Sequence, residues 1–371
     1  MGGYSSDTFK PLLKRLVETP EYFSAEDLTV ALNHLFTPGA IEPTLIGAFL
    51  TALHVHRVER RPESLAAAAS VLRERALKAA VEAPDKDFVV DIVGTGGDGY
   101  NLFNVSTTAA VVAAGAGARV IKHGSRASTS SSGSADLLES LDCLFTAPTP
   151  GTPMPLPRVP FTFILAPHYH PALAQLAPFR KALPFRTMFN VLGPLINPAS
   201  PRGMVLGVAE REIGPTFARS LREGGVERAL VVCGFERLDE ISCAGETWAW
   251  ELRENGIVTE TTLSPEMFGV LRHPLKDVAG GSPAENAETF RKLLGLRQGH
   301  IVPQKLVPVL DFVLINASAL LVVAGIANNY KEGTALARES ILSGKAWAAL
   351  DQFRAAGKAA AQKIAPISEN A

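Results

Sequence analysis

With 371 residues, 47% of them hydrophobic and 20% charged, the chain has the length and balance of a soluble α/β protein with one or two well-cored domains. A net charge of −1 gives no basis for non-specific binding to nucleic acid or to an anionic membrane. The three cysteines, Cys143, Cys233 and Cys243, show neither CxxC nor metal spacing, which argues against a disulfide framework and fits a reduced, cytoplasmic setting.

The first residues, "MGGYSSDTFKPLLKRL", carry no apolar core of a secretory leader. Phe9, Leu12, Leu13, Leu16 and Val17 recur at helical spacing. Ser24 followed by Asp27 reads as a capping box for a second helix through Leu28, Leu32 and Leu35. Leu45, Ile46, Phe49, Leu50 and Leu53 form a third stripe, and Pro62 opens a fourth helix through Leu65, Ala69, Leu72 and Ala76. With no strand between them, these make a small helical unit. After "EAPDKD" the pattern changes to strands alternating with helices. "FVVDIV" (88–93), "RVIKHG" (119–124), "FTFILA" (161–166), "GMVLGVA" (203–209) and "RALVVCG" (228–234) read as strands. Helices are expected from Ser106, over 134–141 and near 212–223. The pattern predicts a mostly parallel sheet covered on both faces. Residues 146–160, "TAPTPGTPMPLPRVP", can only be a loop or an extended connector. The apolar run 307–327 contains Pro308, Asp311 and Asn316, so a buried helix is expected there and not a membrane span.

Four stretches carry chemistry. "GTGGDG" (94–99) formally satisfies the dinucleotide pattern, but the following strand ends in Lys122-His123 where that fold needs an acid for the ribose. A glycine loop followed by Ser106 and Thr107 at a helix start, with Lys122 beside it, fits a phosphate. Asp98 in the middle of that loop is tolerated if it meets sugar hydroxyls or a bound cation. The stretch "KHGSRASTSSSGSAD" (122–136), between a strand and a helix, reads as an anion-binding loop. "GFERLDEISCAG" (234–245) places Asp239 and Glu240 at a strand's carboxyl end, a pair suited to Mg²⁺ when phosphates lie opposite. In "APHYHPALAQLAPFRKALPFRTMFNVLGPLINPA" (166–199), His168 and His170 lack a third ligand at zinc spacing, while Arg180 and Arg186 fall on what reads as a returning helix.

Taken in order, "IGAFLTALHVH", "GTGGDG", "FNVST", "KHG…GSAD", "HPA", "FNVLGPLINPA", "LDEIS", "GGSPAENA" and "INASALLVVAGIA" resemble the anthranilate phosphoribosyltransferase family over nearly the whole chain. The resemblance implies a small N-terminal helical domain (1–84 with 176–197) and a large α/β domain (85–175 with 198–371), with the central sheet mostly parallel and flanked by helices. It implies transfer of phosphoribosyl from phosphoribosyl pyrophosphate to the anthranilate amine, the second step of tryptophan biosynthesis from chorismate. By the same analogy, Gly94, Gly97, Asp98, Asn104, Ser106, Thr107, Lys122 and Ser134 contact phosphoribosyl pyrophosphate. Ser106, Asp239 and Glu240 hold magnesium, two ions per site, with Asp98 acting through water. Arg180 pairs with the anthranilate carboxylate, and Gly94, His123 and Ser125 line its path. No covalent nucleophile or single general base is implied, and the partner is a second copy in a homodimer, with neither nucleic acid nor membrane. The related nucleoside phosphorylases share the fold, but "GTGGDG" and "FNVST" side with the transferases.

The chain departs from that family at four places. Leu102 stands where a hydroxyl residue is usual, Ser125 where an asparagine follows KHG, and Asp142 where a glycine is usual. The proline-rich 146–160 stretch replaces a helix.

Overall fold

The computed structural model describes residues 3–82, 87–127 and 130–364. The expected boundary between residues 84 and 85, and Ser128 and Thr129 of the serine-rich loop, lie outside them. Four helices open the chain: α1 (Ser6–Glu18), α2 (Ala25–Leu35), α3 (Pro43–Val55) and α4 (Pro62–Arg75). The Ser24–Asp27 capping box forms as the spacing predicts. The Ser24 hydroxyl accepts from the Asp27 N–H, and the Asp27 carboxylate accepts from the Ser24 N–H, each at 3.1 Å. Phe9, Leu16 and Phe49 are fully buried, while Val17 stays half exposed, so the α1 stripe is narrower than its sequence suggested.

The next elements are β1 (Ala79–Ala80), β2 (Val89–Gly94), α5 (Val105–Gly115), β3 (Arg119–Gly124), α6 (Ser134–Glu139), β4 (Met154–Pro155), β5 (Phe161–Leu165), α7 (Ala166–Tyr169) and α8 (Pro171–Ala182). They are followed by β6 (Gly203–Gly207), α9 (Gly214–Glu223), β7 (Arg228–Gly234), β8 (Thr247–Leu252) and β9 (Val258–Leu263). Helices α10 (Pro283–Leu294), α11 (Val307–Val323), α12 (Tyr330–Leu342) and α13 (Lys345–Ile364) close the chain. The seven-stranded sheet has the order β5-β3-β2-β6-β7-β8-β9. Its first five strands are parallel; β8 and β9 add antiparallel. Strand order reverses between β2 and β6, the switch point at which open α/β sheets leave a crevice at their carboxyl ends. The antiparallel hairpin went unread in the sequence, although Asn255-Gly256 is its turn signal, with Gly256 in the left-handed region at φ 76°.

Helices α5, α11, α12 and α13 bury one face of the sheet. On the other face a single apolar cluster joins α1–α4 and α8 to α9 and to β6–β8, so the helical unit does not close a separate core. Helix α11 lies within the apolar run read as 307–327 and is buried nearly throughout, as Pro308, Asp311 and Asn316 implied. Residues 146–160 are irregular apart from β4, which pairs with β1 in a two-stranded parallel sheet. Asp142 adopts φ 61°, the left-handed conformation that a glycine there takes freely, and its carboxylate pairs with Arg354 at 3.1 Å.

Asn316 does more than interrupt an apolar run. Its side chain accepts from the Ile241 N–H at 3.2 Å and donates to the Ile241 carbonyl at 3.2 Å, so α11 holds the chain next to Asp239 and Glu240. Asn316→Leu strands both Ile241 groups in the interior, a loss of about 2–4 kcal/mol. A melting curve is expected to shift down by about 3–5 °C on that basis. An unchanged melting temperature would show that water or another group replaces the amide.

Candidate functional site

The loop after β2 is shaped by what presses against it. A Cβ on Gly94 would lie 2.1 Å from Asp239 Oδ2, and one on Gly207 would lie 1.6 Å from the Asp239 carbonyl oxygen. The Asp239 carboxylate accepts from the Gly96 N–H at 2.6 Å. The glycines at the ends of β2 and β6 therefore admit the acidic loop that follows β7. Asp98, at the far side of the glycine loop, turns towards Asp239. Burial first, then the Asp98 carboxylate, pushes Asp239 up to about 7. Glu240 is likewise raised well above the usual carboxylate range by burial and then by Asp239. The opposing pull of Lys122 on Glu240 and of Arg186 on Asp239 does not offset this crowding.

Lys122 is fully buried beneath them. Its ammonium donates to the Ile92 carbonyl and to the Ser106 hydroxyl, the latter at 3.3 Å, and Ser106 in turn bonds Glu240. Burial lowers the Lys122 pKa, while Asp91, Glu240 and Asp239 oppose that shift. Asp91 is itself raised to about 6 by burial and is held by Asn197 at 3.0 Å. Asn197 also donates to the Ile121 carbonyl at 2.9 Å, which ties the "FNVLGPLINPA" segment to β2 and β3.

Ser132 ties the described part of the serine-rich loop to Asn104. Asn104 donates to the Ser132 carbonyl at 2.8 Å and accepts from Ser132 Oγ and from Asn286, at 3.0 and 2.9 Å. Ser134 is the first residue of α6. Ser125 Oγ donates to the Arg126 carbonyl at 3.0 Å. His123 Nδ1 donates to the Gly193 carbonyl at 3.2 Å, and its Nε2 meets His170 Nε2 at 3.2 Å. Burial brings His123 down to about 3 and His170 to about 4, so both rings are neutral near pH 7.

A cavity of about 430 Å³ is lined by Gly94, Gly97, Asn104, Ser106, Lys122, His123, Ser125, Ser134, Arg180, Asp239 and Glu240. Two residues expected among them stand elsewhere. Asp98 lines a neighbouring cavity of about 280 Å³ across the glycine loop. The Thr107 side chain is buried, 1% exposed and without a hydrogen-bond partner among the described residues, leaving its N–H at the start of α5 for a ligand. Leu102 bridges to Ala279 and offers no polar contact. Arg186 is not on a helix: α8 ends at Ala182, two residues before Pro184, and Arg186 reaches the glycine loop from the coil beyond. The cavity also gathers Arg186, Phe189, Asn190, Gly193, Pro194 and Ser132, which had no individual role in the sequence reading. Most lie in or beside "FNVLGPLINPA", a motif visible as a run but silent about which atoms face inward.

Arg180 is the counterpart of the acids. Its guanidinium is half buried in the cavity wall, its Nε has no partner, and among the described residues it forms no ion pair. Burial, then the nearby Arg186 charge, lowers its pKa.

Among the described residues no three His, Cys, Asp or Glu side chains converge as a finished metal cage. The all-oxygen set Asp239, Glu240 and Ser106, with Asp98 close by, nonetheless suits Mg²⁺. That ion takes one or two carboxylates and completes its shell with water and substrate phosphates. The pKa directions make this testable. Asp239 is raised above its unfolded value, so its contribution to stability is fully present below about pH 4 and is lost as pH rises through about 7. Mg²⁺ binds the deprotonated form, so its apparent affinity is expected to be about tenfold higher at pH 8 than at pH 6. Melting curves with and without Mg²⁺ should show the larger gain at pH 8; a pH-independent gain would place the ion elsewhere.

Residues 86–347 match the family model for the α/β domain of a glycosyl transferase family, and residues 10–76 match that family's helical bundle domain. The anthranilate phosphoribosyltransferase of Schizosaccharomyces pombe is 43% identical over 332 residues, 88% of this chain and 91% of that one. The enzyme of that name from Stenotrophomonas maltophilia is 40% identical over 341 residues, 92% and 95% of the two chains. Anthranilate phosphoribosyltransferase from Saccharomyces cerevisiae, solved in complex with PRPP and Mg, superposes with a TM-score of 0.85 at 33% identity, covering 96% of this chain and 99% of that one. The same yeast enzyme with 4-fluoroanthranilate gives a TM-score of 0.84 at 31% identity over 96% and 99%.

Proposed function

The chain belongs to the anthranilate phosphoribosyltransferases, and from that premise we propose that its larger cavity joins phosphoribosyl pyrophosphate to anthranilate, releasing pyrophosphate and N-(5-phosphoribosyl)anthranilate. One observation carries the reading for these residues: a single cavity gathers Asp239 and Glu240, both pushed up by burial and mutual crowding, together with Arg180, which forms no ion pair among the described residues. A magnesium-bound diphosphate answers the first and an aromatic carboxylate the second.

Bound magnesium supplies charge neutralisation for the departing pyrophosphate. Asp239, Glu240 and Ser106 would hold it, two ions per site, with Asp98 reaching them through water. The N–H groups at the start of α5 and in the glycine loop receive phosphate oxygens, and buried Lys122 adds positive potential below them. Arg180 fixes the acceptor's carboxylate through a fork of parallel hydrogen bonds, which sets the amine towards C1 of the ribose. His123 and His170 are neutral and serve as walls; Gly94 leaves room, and Ser125 keeps its hydroxyl on the backbone. The C1–N bond forms as the C1–O bond to pyrophosphate breaks, so alignment and charge stabilisation suffice and no side-chain nucleophile is required. The described residues of 1–84 and 176–197 would form the acceptor side of the cleft, and those of 85–175 and 198–371 the donor side. The chain would act in the cytoplasm as a homodimer through its helical unit. Leu16 and Phe49 are interior, so the dimer face falls to Leu12, Leu45 and the exposed Val17, Tyr22 and Val30.

The test is the loss of anthranilate fluorescence in the presence of phosphoribosyl pyrophosphate and Mg²⁺. A magnesium-dependent fall with one pyrophosphate released per anthranilate consumed is expected. Unchanged fluorescence with continued pyrophosphate release would keep the donor half and refute the acceptor.

A further inference from the structure

Arg186 extends across the cleft from a backbone pinned on both sides. Phe185 before it stacks on His54, with ring centroids 4.5 Å apart and planes 22° apart. Two residues after it, the Met188 N–H donates to the buried Glu59 carboxylate at 2.7 Å. The guanidinium makes no ion pair among the described residues. It spends its donors on carbonyls: Nη1 on Gly96 O at 2.8 Å, and Nη2 on Thr95 O at 3.1 Å and Asn190 O at 3.3 Å. A Cβ on Gly97 would lie 1.0 Å from Nη1, so that glycine keeps the seat of the guanidinium open.

In a planar trans peptide each carbonyl points opposite to the N–H of the next residue. Holding Thr95 O therefore directs the Gly96 N–H away from Arg186, and that N–H meets Asp239 at 2.6 Å. Holding Gly96 O directs the Gly97 N–H away in the same manner; it has no partner among the described residues, and Gly97 stands where the two cavities meet, lining both. Gly96 and Gly97 sit at φ 67° and 85°, where glycine peptides turn over at little cost. Turned over, they would aim oxygen lone pairs at an incoming phosphate. We propose that Arg186 is a positioning residue: its fork clamps the Thr95 and Gly96 carbonyls so that the Gly96 N–H stays on Asp239 and the Gly97 N–H is presented to the diphosphate of the donor. This rests on the phosphoribosyl reading of the cavity.

Arg186→Met removes the donors and keeps the stem; Arg186→Lys keeps the charge but not the fork. Loss of one well-oriented hydrogen bond to the charged diphosphate corresponds to about a 10–100-fold change in affinity. The Met variant should raise both the KM for phosphoribosyl pyrophosphate and its calorimetric Kd with Mg²⁺ by about that factor. The Lys variant should raise them by about tenfold, and the anthranilate KM should stay within about threefold in both. Lowered melting temperatures with donor KM and Kd unchanged would overturn the proposal and leave Arg186 a structural strap. A rise in the anthranilate KM alone would overturn it in favour of an acceptor contact. Calorimetry of the donor needs no acceptor. Wild-type protein that fails to bind phosphoribosyl pyrophosphate would therefore refute the phosphoribosyl reading itself, whereas wild-type binding matched by both variants refutes only the role of Arg186.

Discussion

Arg180→Ala is expected to raise the KM for anthranilate by about a hundredfold, since truncating one partner of a largely desolvated charge pair costs about 2–5 kcal/mol. The donor's KM should stay within about threefold, because among the described residues Arg180 forms no hydrogen bond or ion pair with the glycine-loop, α5 or acidic-loop groups assigned to phosphate and metal. Arg180→Lys should recover only part of the loss: an ammonium offers a point charge where the carboxylate is met by a planar fork. The free protein already carries the cost of this residue. Its guanidinium is half buried, Nε has no partner among the described residues, and burial lowers its pKa, so the bound carboxylate relieves a standing penalty. Removing the charge should therefore leave the melting temperature equal or higher while activity falls. Steady-state rates with each substrate varied in turn decide the matter. Equal losses in both KM values would mean that Arg180 shapes the whole cleft and does not select the acceptor.

Asp239→Asn tests the other half. The substitution keeps an oxygen to accept from the Gly96 N–H and removes the charge, so geometry and charge separate. Loss of a metal-holding carboxylate is expected to lower kcat by about a thousandfold, several kcal/mol of transition-state stabilisation. Stability should move the opposite way. Asp239 is raised to about 7 by burial and by Asp98, so at pH 8 the metal-free wild type carries a buried carboxylate that the variant lacks. The metal-free variant should melt higher than wild type at pH 8, the two should converge towards pH 5, and added Mg²⁺ should favour wild type. A variant less stable at every pH would show that the carboxylate serves packing ahead of metal binding. The opposed directions are the signature of a site whose crowded acids are held for a ligand.

Much of this protein could be read before folding. Helix caps, apolar periods and strand runs are local, and they placed α2, α4 and the five parallel strands of the seven-stranded sheet near their observed bounds, but not the short β1–β4 pair. Motif order pointed to the family, and through it to eleven cavity-lining residues, from Gly94 to Glu240. What the sequence could not settle were contacts between segments far apart in the chain. Gly94 and Gly97 read as a cradle for phosphate, and only the packed structure shows that one makes room for Asp239 and the other for Arg186. The Gly96–Asp239 bond spans 143 positions and the Arg186–Gly96 bond spans 90. No periodicity reports such pairs, because a period of two or 3.6 residues encodes which face is buried and not what it is buried against. The same limit explains Thr107, whose place beside Ser106 suggested a shared ligand. One residue along a helix turns a side chain by about 100°, and α5 had to bury that flank against the sheet and α11. Local sequence determined the elements and the kinds of chemistry; side-chain direction, and which charges were left without partners, were decided when the elements packed.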